Sequence, residues 1–510
     1  MSFPSHRLIT GLVAATFGSL CVLLTAKFLW TGTVLDKPGE QTFAEAGSAY
    51  IARRVQNGGD LYGDWRVRPH VVTLYGPALY LPVAYLGRWI HADVHGLYVI
   101  GRWISVLTTV GTAGLIVWLM RRKPGADPLF CAMTAMVFLT CEEVLASFDL
   151  SFRADAPACF LTLLGLALVM HSDRSGFLYG SLAVFALAFL YKQSSLVGPP
   201  AVVLWVWSLG RRRHAITYAA LGILVILGLV GLCEAVTNGR YALNNFVALR
   251  GNTGLVNVPG LFSEIAWGAI LPLAIGSWAA VGGWGVPQTR LLAVAFVTSV
   301  VLNAAATYRD GSGVTYYMVP LAIGCVLCGR QLSTWWRERA TTPAAAAALG
   351  IAMTLAAVRY VPQVGVRLVE LPARWRGFQF RHEQHRDKAE FIRSLADYVN
   401  RLPGPVLCQF NDIALYCPNS ILLDTFMFST TSDAGVFDDR ELVREIRQRQ
   451  VAAIILDPVN PQVYQSTDFF NRRWRQAMEG RYELVGKYKW AEIYRPVEHG
   501  TDTGRRPAPG

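Results

Sequence analysis

The sequence predicts a polytopic all-α membrane domain followed by a small extracytoplasmic α/β domain, and three observations carry that prediction. Of 510 residues, 53% are hydrophobic and only 16% are charged, a balance too apolar for a soluble enzyme of this length. Apolar runs of spanning length recur between residues 8 and 360. From Val361 onward the composition turns soluble, with helix and strand patterns in alternation. The net charge of +12 comes mostly from arginine, in short loops between apolar runs and not on one basic face. That placement fits membrane topology and argues against a nucleic-acid partner.

Taken in order, the run over 8–29 follows Arg7 and lacks a small-residue cleavage site, so it reads as an uncleaved first helix with a cytoplasmic N-terminus. Further runs fall near 98–120, 126–146, 154–170, 176–191, 194–210, 215–235, 264–285, 291–308, 313–329 and 343–360, which makes eleven. The stretch 71–89 decides the topology. Its core, 75–86, is twelve residues long and holds Pro77 and Pro82. Read as a re-entrant or interfacial helix, it leaves Arg121, Arg122, Lys123, Arg174, Arg211, Arg212, Arg213, Arg290, Arg330, Arg337 and Arg339 on the cytoplasmic side. Read as a span, it would export them all.

The first reading places outside the membrane a long first loop (31–90), residues 149–154, 192–194 and 236–263, and everything after 361. The domains are then 1–360 in the membrane, 361–497 as the α/β domain with helices over 382–401, 438–450 and 468–479, and a disordered Gly/Pro/Arg tail over 498–510. Its strands are expected over 406–410 and 451–457, with a pair over 482–494. Seven of nine cysteines lie in apolar runs, where cysteine acts as a small hydrophobe. Cys408 and Cys417 lie in the polar region, where an extracytoplasmic location would permit a disulfide.

The chemistry-bearing residues cluster at the predicted outer ends of the helices. Asp36 and Glu40 follow the first helix and precede an amphipathic segment over 42–56, with Phe43, Gly47, Tyr50, Ile51 and Val55 on one face. A carboxylate there suits a general base for an incoming hydroxyl. The alternative is that Glu40 and Glu45 favour the helix N-terminus through its dipole. Arg66 and Arg68 lie on the approach to Tyr75, where a headgroup phosphate would be met; arginine's fork holds two phosphate oxygens, but such loops also carry arginine simply to face water. Arg153 and Asp155 open a later span, with Glu142 and Glu143 ending the span before it. Asp155 also suits an N-cap, with Pro157 inside the first turn. Lys192 and Gln193 end another span, where snorkelling is the plain alternative. Tyr308 to Gly313, then Thr315, Tyr316 and Tyr317, supply a further outer turn.

The order of these features, with GDLYGDW, YGPALY, GRWISVL, FRADAPACFLTLLGLAL, YKQSSLVGPP and DGSGVTYYM, resembles the GT-C membrane glycosyltransferases. It is similar, more narrowly, to the bacterial members grouped with the dolichyl-phosphate-mannose protein mannosyltransferases. The resemblance covers roughly residues 8–330. It implies inverting transfer of a sugar from a polyprenyl-phosphate donor to a glycan, lipid or protein acceptor on the outer face of a bacterial cytoplasmic (inner) membrane. The family's first-loop acid is its catalytic base, which matches Glu40 best and Asp36 next. Relatives often carry adjacent acids where Asp36 and Glu40 stand four apart, and Asn where this chain has Thr315. Arg153, Lys192, Arg66 and Arg68 would hold the donor phosphate. Asp155, Tyr75, Gln193, Tyr316, Glu142 and Glu143 would line the substrate site. No cofactor is implied, and a divalent ion between Glu40 and Asp155 has no metal-ligand spacing to support it.

Two other classes are consistent with a polytopic chain: another enzyme of polyprenyl-phosphate carriers, and a transporter. Transporters place ionisable groups or broken helices near mid-membrane, often in paired halves. Here the charges gather at one face and the halves do not correspond.

Overall fold

The structure, a computed structural model, describes residues 6–497 except 43, 123–124, 172–174, 249, 251–262, 264, 308–312, 418–419, 422–424, 458–462, 465–466, 469 and 489. The tail 498–510, the stretch 308–312 and much of the 236–263 loop therefore lie outside the described residues. Two compact units emerge. The first comprises Met1–Tyr62, Thr73–Asn245 and Thr253–Arg386, and the second Gly63–Val72, Phe246–Asn252 and Asp387–Gly510.

The first unit is helical. Its elements are α1 (His6–Val34), α2 (Glu45–Gln56), α3 (Pro77–Trp89), α4 (Val94–Arg121), α5 (Pro128–Thr140), α6 (Glu142–Leu145), α7 (Asp155–Met170) and α8 (Ser175–Tyr191). There follow α9 (Gly198–Ser208), α10 (Arg212–Val236), α11 (Ile270–Gly282), α12 (Pro287–Thr307), α13 (Met318–Glu338) and α14 (Pro343–Gln379). A helix lies over each of the eleven apolar runs. Among the described residues five of them, α1, α4, α10, α12 and α14, are long and apolar enough to cross a membrane. Shorter apolar helices accompany them, and the chain is a multi-pass membrane protein. The core centres on α13, buried from Met318 to Gly329 and packed against α4, α5, α11, α12 and α14. A helix apolar on all sides is stable only where neighbours surround it.

The decisive stretch after the first loop forms α3, whose thirteen residues reach about 20 Å, short of a bilayer core of about 30 Å. Gly76, just before it, lies so close to α8 that a Cβ would meet the Leu190 carbonyl oxygen at 2.1 Å. Glycine is thus what lets Tyr75 approach the end of α8. The last long helix, α14, continues through position 361 to Gln379 despite Pro362 and Pro372. It packs along α1, and Glu370 bridges Arg367 (2.9 Å) and Arg374 (3.0 Å) at helical spacing in the polar stretch. The contact boundary between the units accordingly falls at Asp387, not at the composition change.

The second unit is α/β. Strands β1 (Val406–Cys408), β2 (Ser420–Ile421), β3 (Ala453–Leu456), β6 (Tyr482–Tyr488) and β7 (Ala491–Pro496) form one sheet in the order β2-β1-β3-β7-β6. The first three are parallel and the last two antiparallel, with short strands β4 (Val463–Tyr464) and β5 (Thr467–Asp468) paired apart. Helix α15 (Arg381–Asn400) supplies Phe391, Leu395 and Val399 to the core beside Val406 and Ile455. Cys408 and Cys417 are free and buried, each thiol turned to a backbone carbonyl, of Phe410 and Ala396 respectively. Residues of the loop between α2 and α3 belong to this unit: Trp65 is buried edge-on to Phe428, and Arg68 pairs with Glu445.

Candidate functional site

The site grows from the N-terminus of α7. Asp155 is the first residue of that helix. Lys192 Nζ donates to its Oδ1 at 2.6 Å, and Arg153 Nε to its Oδ2 at 3.2 Å. Lys192 reaches this point because the chain leaves α8 in an extended conformation (φ −147°, ψ 119°) before a 3-10 turn over Gln193–Ser195. Its ammonium lies 4.0 Å from the centre of the Tyr316 ring. Arg153 Nη2 donates to the Tyr75 hydroxyl at 2.6 Å, and its guanidinium lies over the Phe148 ring at 4.1 Å. Burial alone would lower the pKa of both cations, but the Asp155 carboxylate and nearby tyrosines raise Lys192 and Arg153 above their ordinary values. Both stay charged at any physiological pH.

Two cations around one carboxylate leave a net positive charge at a largely buried place lined by aromatic rings. A small cavity adjoins it, with Asp155, Lys192, Ser195, Asn303, Thr315 and Tyr316 in its wall. The Asn303 side-chain amide is buried and donates to no acceptor among the described residues. Its position inside an apolar helix is the only hint of it in the sequence. Gln193 bonds the Asn245 side chain and the Leu74 carbonyl, which ties the end of α8 to the stretch before Tyr75.

The first-loop acids lie before α2. Glu40 accepts from the Ala46 amide at 3.3 Å in the first turn of α2. Asp36 Oδ1 lies 3.1 Å from His385 Nδ1. Beside them is a pair that sequence reading did not find. Glu45, credited only with a dipole role, is fully buried against Arg102 of α4, which is also fully buried. Arg102 Nε and Nη2 hold the two carboxylate oxygens at 2.8 and 3.0 Å. The signal was present: an arginine inside the apolar run of GRWISVL is costly unless partnered. Lys27 of α1, buried on Asp149 at 2.9 Å, is a second instance.

Other expected members have ion-pair partners of their own. Glu142 is held by Arg367 at 2.5 Å and Glu143 by Arg359, both from α14, so their ion pairs are not with Arg153. Two consecutive left-handed residues, Ala146 and Ser147, turn the chain between the glutamates and Arg153. Arg66 forks onto Asp64 with bonds of 2.8 and 2.7 Å, and Arg68 holds Glu445, both within the second unit. Among the described residues no three His, Cys, Asp or Glu side chains gather as a metal site.

No protein-family model and no curated protein matches the chain. Among solved structures it is similar to ArnT from Cupriavidus metallidurans in the apo state, with 15% identity, TM-score 0.55, and 95% of this chain and 98% of that one covered. The structure of ArnT bound to undecaprenyl phosphate matches at 14% identity and TM-score 0.54, covering 94% and 98%. Over nearly its whole length, then, the chain shares the fold of these two ArnT structures.

Proposed function

We propose that the protein is an inverting glycosyltransferase. It moves a sugar from a polyprenyl-phosphate donor to a glycan, lipid or protein acceptor at the outer face of a bacterial cytoplasmic membrane, with the α/β unit on that same side. The observation that carries this reading is the Arg153–Asp155–Lys192 cluster, a buried, net-cationic, aromatic-lined site at a helix end. Such a site suits a phosphate that arrives on a lipid. The shared fold with a protein whose structure holds undecaprenyl phosphate supports the same carrier class.

The chemistry follows from the groups present. A first-loop carboxylate, Glu40 before Asp36, takes the proton of the acceptor hydroxyl as its oxygen attacks the anomeric carbon. The bond from that carbon to the phosphate oxygen breaks, and polyprenyl phosphate leaves as an anion. Arg153 and Lys192 hold the charge that develops on it, so no general acid is required. Tyr75 and Tyr316 flank the two cations and would contact the sugar or the phosphate.

Native mass spectrometry of the gently purified protein tests the reading. We expect co-purified lipid of polyprenyl-phosphate mass, reduced by Arg153→Ala and by Lys192→Ala, and an added hexose or pentose mass would identify the donor. Bulk phospholipid alone, even after addition of undecaprenyl phosphate, would sink the proposal and move weight to a transporter.

A further inference from the structure

We infer that Glu45 and Arg102 are positioning residues, a buried pair that sets the acid-bearing loop and the phosphate-binding arginine in register with each other. The inference rests on the reading that Glu40 and Arg153 serve one site.

The Glu45 carboxylate makes three kinds of contact. One oxygen accepts from the Phe152 amide at 2.8 Å, the residue before Arg153. The other accepts from the Gln41 amide at 2.7 Å, the residue after Glu40. Both are gripped by Arg102. A single carboxylate thus touches the chain one residue from the candidate base and one residue from the phosphate ligand.

Arg102 extends the grip along the acid loop. Its Nη1 donates to the Lys37 carbonyl at 2.5 Å and its Nη2 to the Gly39 carbonyl at 2.5 Å, with longer approaches of 3.4 Å to Val34 and Leu35. A guanidinium has five N–H groups in a rigid fork, and here they are directed at one carboxylate and the carbonyls that bracket Asp36 and precede Glu40. One turn on, Ser105 Oγ donates to the Ser151 carbonyl at 2.6 Å. At Gly101 a Cβ would strike the Phe152 ring at 2.2 Å. Three residues of one α4 turn, Gly101, Arg102 and Ser105, therefore seat both loops.

Neither partner of the pair is accessible to a substrate, since both side chains are 0% exposed. A buried pair of this kind is weak evidence for stability, because desolvation offsets most of the attraction. What it supplies is geometry, and a site for group transfer loses rate steeply when its groups are displaced by an ångström.

The test uses the full-length protein in nanodiscs of phosphatidylethanolamine and cardiolipin, with undecaprenyl phosphate as the probe. Glu45→Asp keeps the charge but withdraws it by one methylene; Arg102→Lys keeps the charge but loses the fork. Hydrogen exchange should quicken by about tenfold in the 37–41 and 151–153 segments together, as for loss of a hydrogen bond to a charged group. Undecaprenyl phosphate affinity should fall by about tenfold, and Glu45→Asp should have no further effect on affinity in an Arg153→Ala background. Loosening of only one segment, unchanged affinity, or full additivity with Arg153→Ala would overturn the inference. So would failure of both variants to fold, which would assign the pair to stability alone. If the wild-type protein binds no undecaprenyl phosphate, the functional reading fails, and the exchange experiment alone decides whether the two segments move together.

Discussion

Two ion-pair centres in the first unit differ in charge stoichiometry and in exposure. At Asp155 two cations share one carboxylate, and the Arg153 and Lys192 side chains keep 13% and 11% exposure. At Glu45 one cation meets one carboxylate, both fully enclosed, and backbone groups take up the remaining polar valences. The first centre carries two cations on one carboxylate and keeps some exposure, which is what the proposed phosphate site requires. The second is neutral and closed, so it can only hold its neighbours in place. Charge stoichiometry and residual exposure, more than the presence of charge, distinguish the two.

The largest effect expected is on the step that the first centre serves. Glu40→Gln should lower transfer by about 10²–10⁴-fold, the range for a general base, while undecaprenyl phosphate still binds. Asp36→Asn should cost less than about tenfold; the opposite ranking would make Asp36 the base. Next, Arg153→Ala and Lys192→Ala should each weaken undecaprenyl phosphate by about 30-fold, as for loss of one charge-assisted hydrogen bond. Arg66→Ala and Arg68→Ala should leave its affinity within about twofold, because each arginine is committed to a carboxylate in the second unit. Equal losses at all four positions would erase the distinction between the buried Asp155 cluster and the exposed ion pairs of the second unit.

A third prediction concerns closed pairs. Lys27→Met leaves Asp149 buried without its partner and should destabilise the protein by about 3 kcal/mol, whereas Lys27→Met with Asp149→Asn should recover most of that in thermal unfolding. Undecaprenyl phosphate affinity should be untouched in the double variant. The smallest effect lies in the second unit. Burial holds His70 below its ordinary value of 6.5, so the folded state favours the neutral ring. The stabilisation is complete above pH 6.5 and is lost as pH falls from there through the lower folded value. Protection factors in residues 63–72, with the intrinsic pH dependence of amide exchange divided out, should fall modestly between pH 7 and pH 5, and a rise there would contradict the assignment.

How much of the fold and the site is legible in the sequence depends on the range of the interaction. The helices over the apolar runs, the short α3 with its prolines and the strand–helix alternation after 400 all follow from local periodicity and length, which a sequence displays directly. Arg153, Asp155 and Lys192 stand out because ionisable residues at helix ends are conspicuous in an apolar chain. Their partners do not. Glu142 and Glu143 look like companions of Arg153 by proximity in sequence, yet residues more than 200 positions away in α14 hold them. Glu45 looks like a helix-dipole residue, since nothing local shows that Arg102, 57 residues on, is buried against it.

By itself, then, the sequence determined that this is a multi-pass helical protein and which ends of which helices carry charge. Only the tertiary structure decided how those charges are shared: which carboxylates are neutralised by one cation, which attract two, and which arginines belong to the second unit. The physical reason is that hydrophobic periodicity is a property of neighbours along the chain. Ion pairing in a low-dielectric interior is settled by which groups the packed helices bring within about 3 Å of one another.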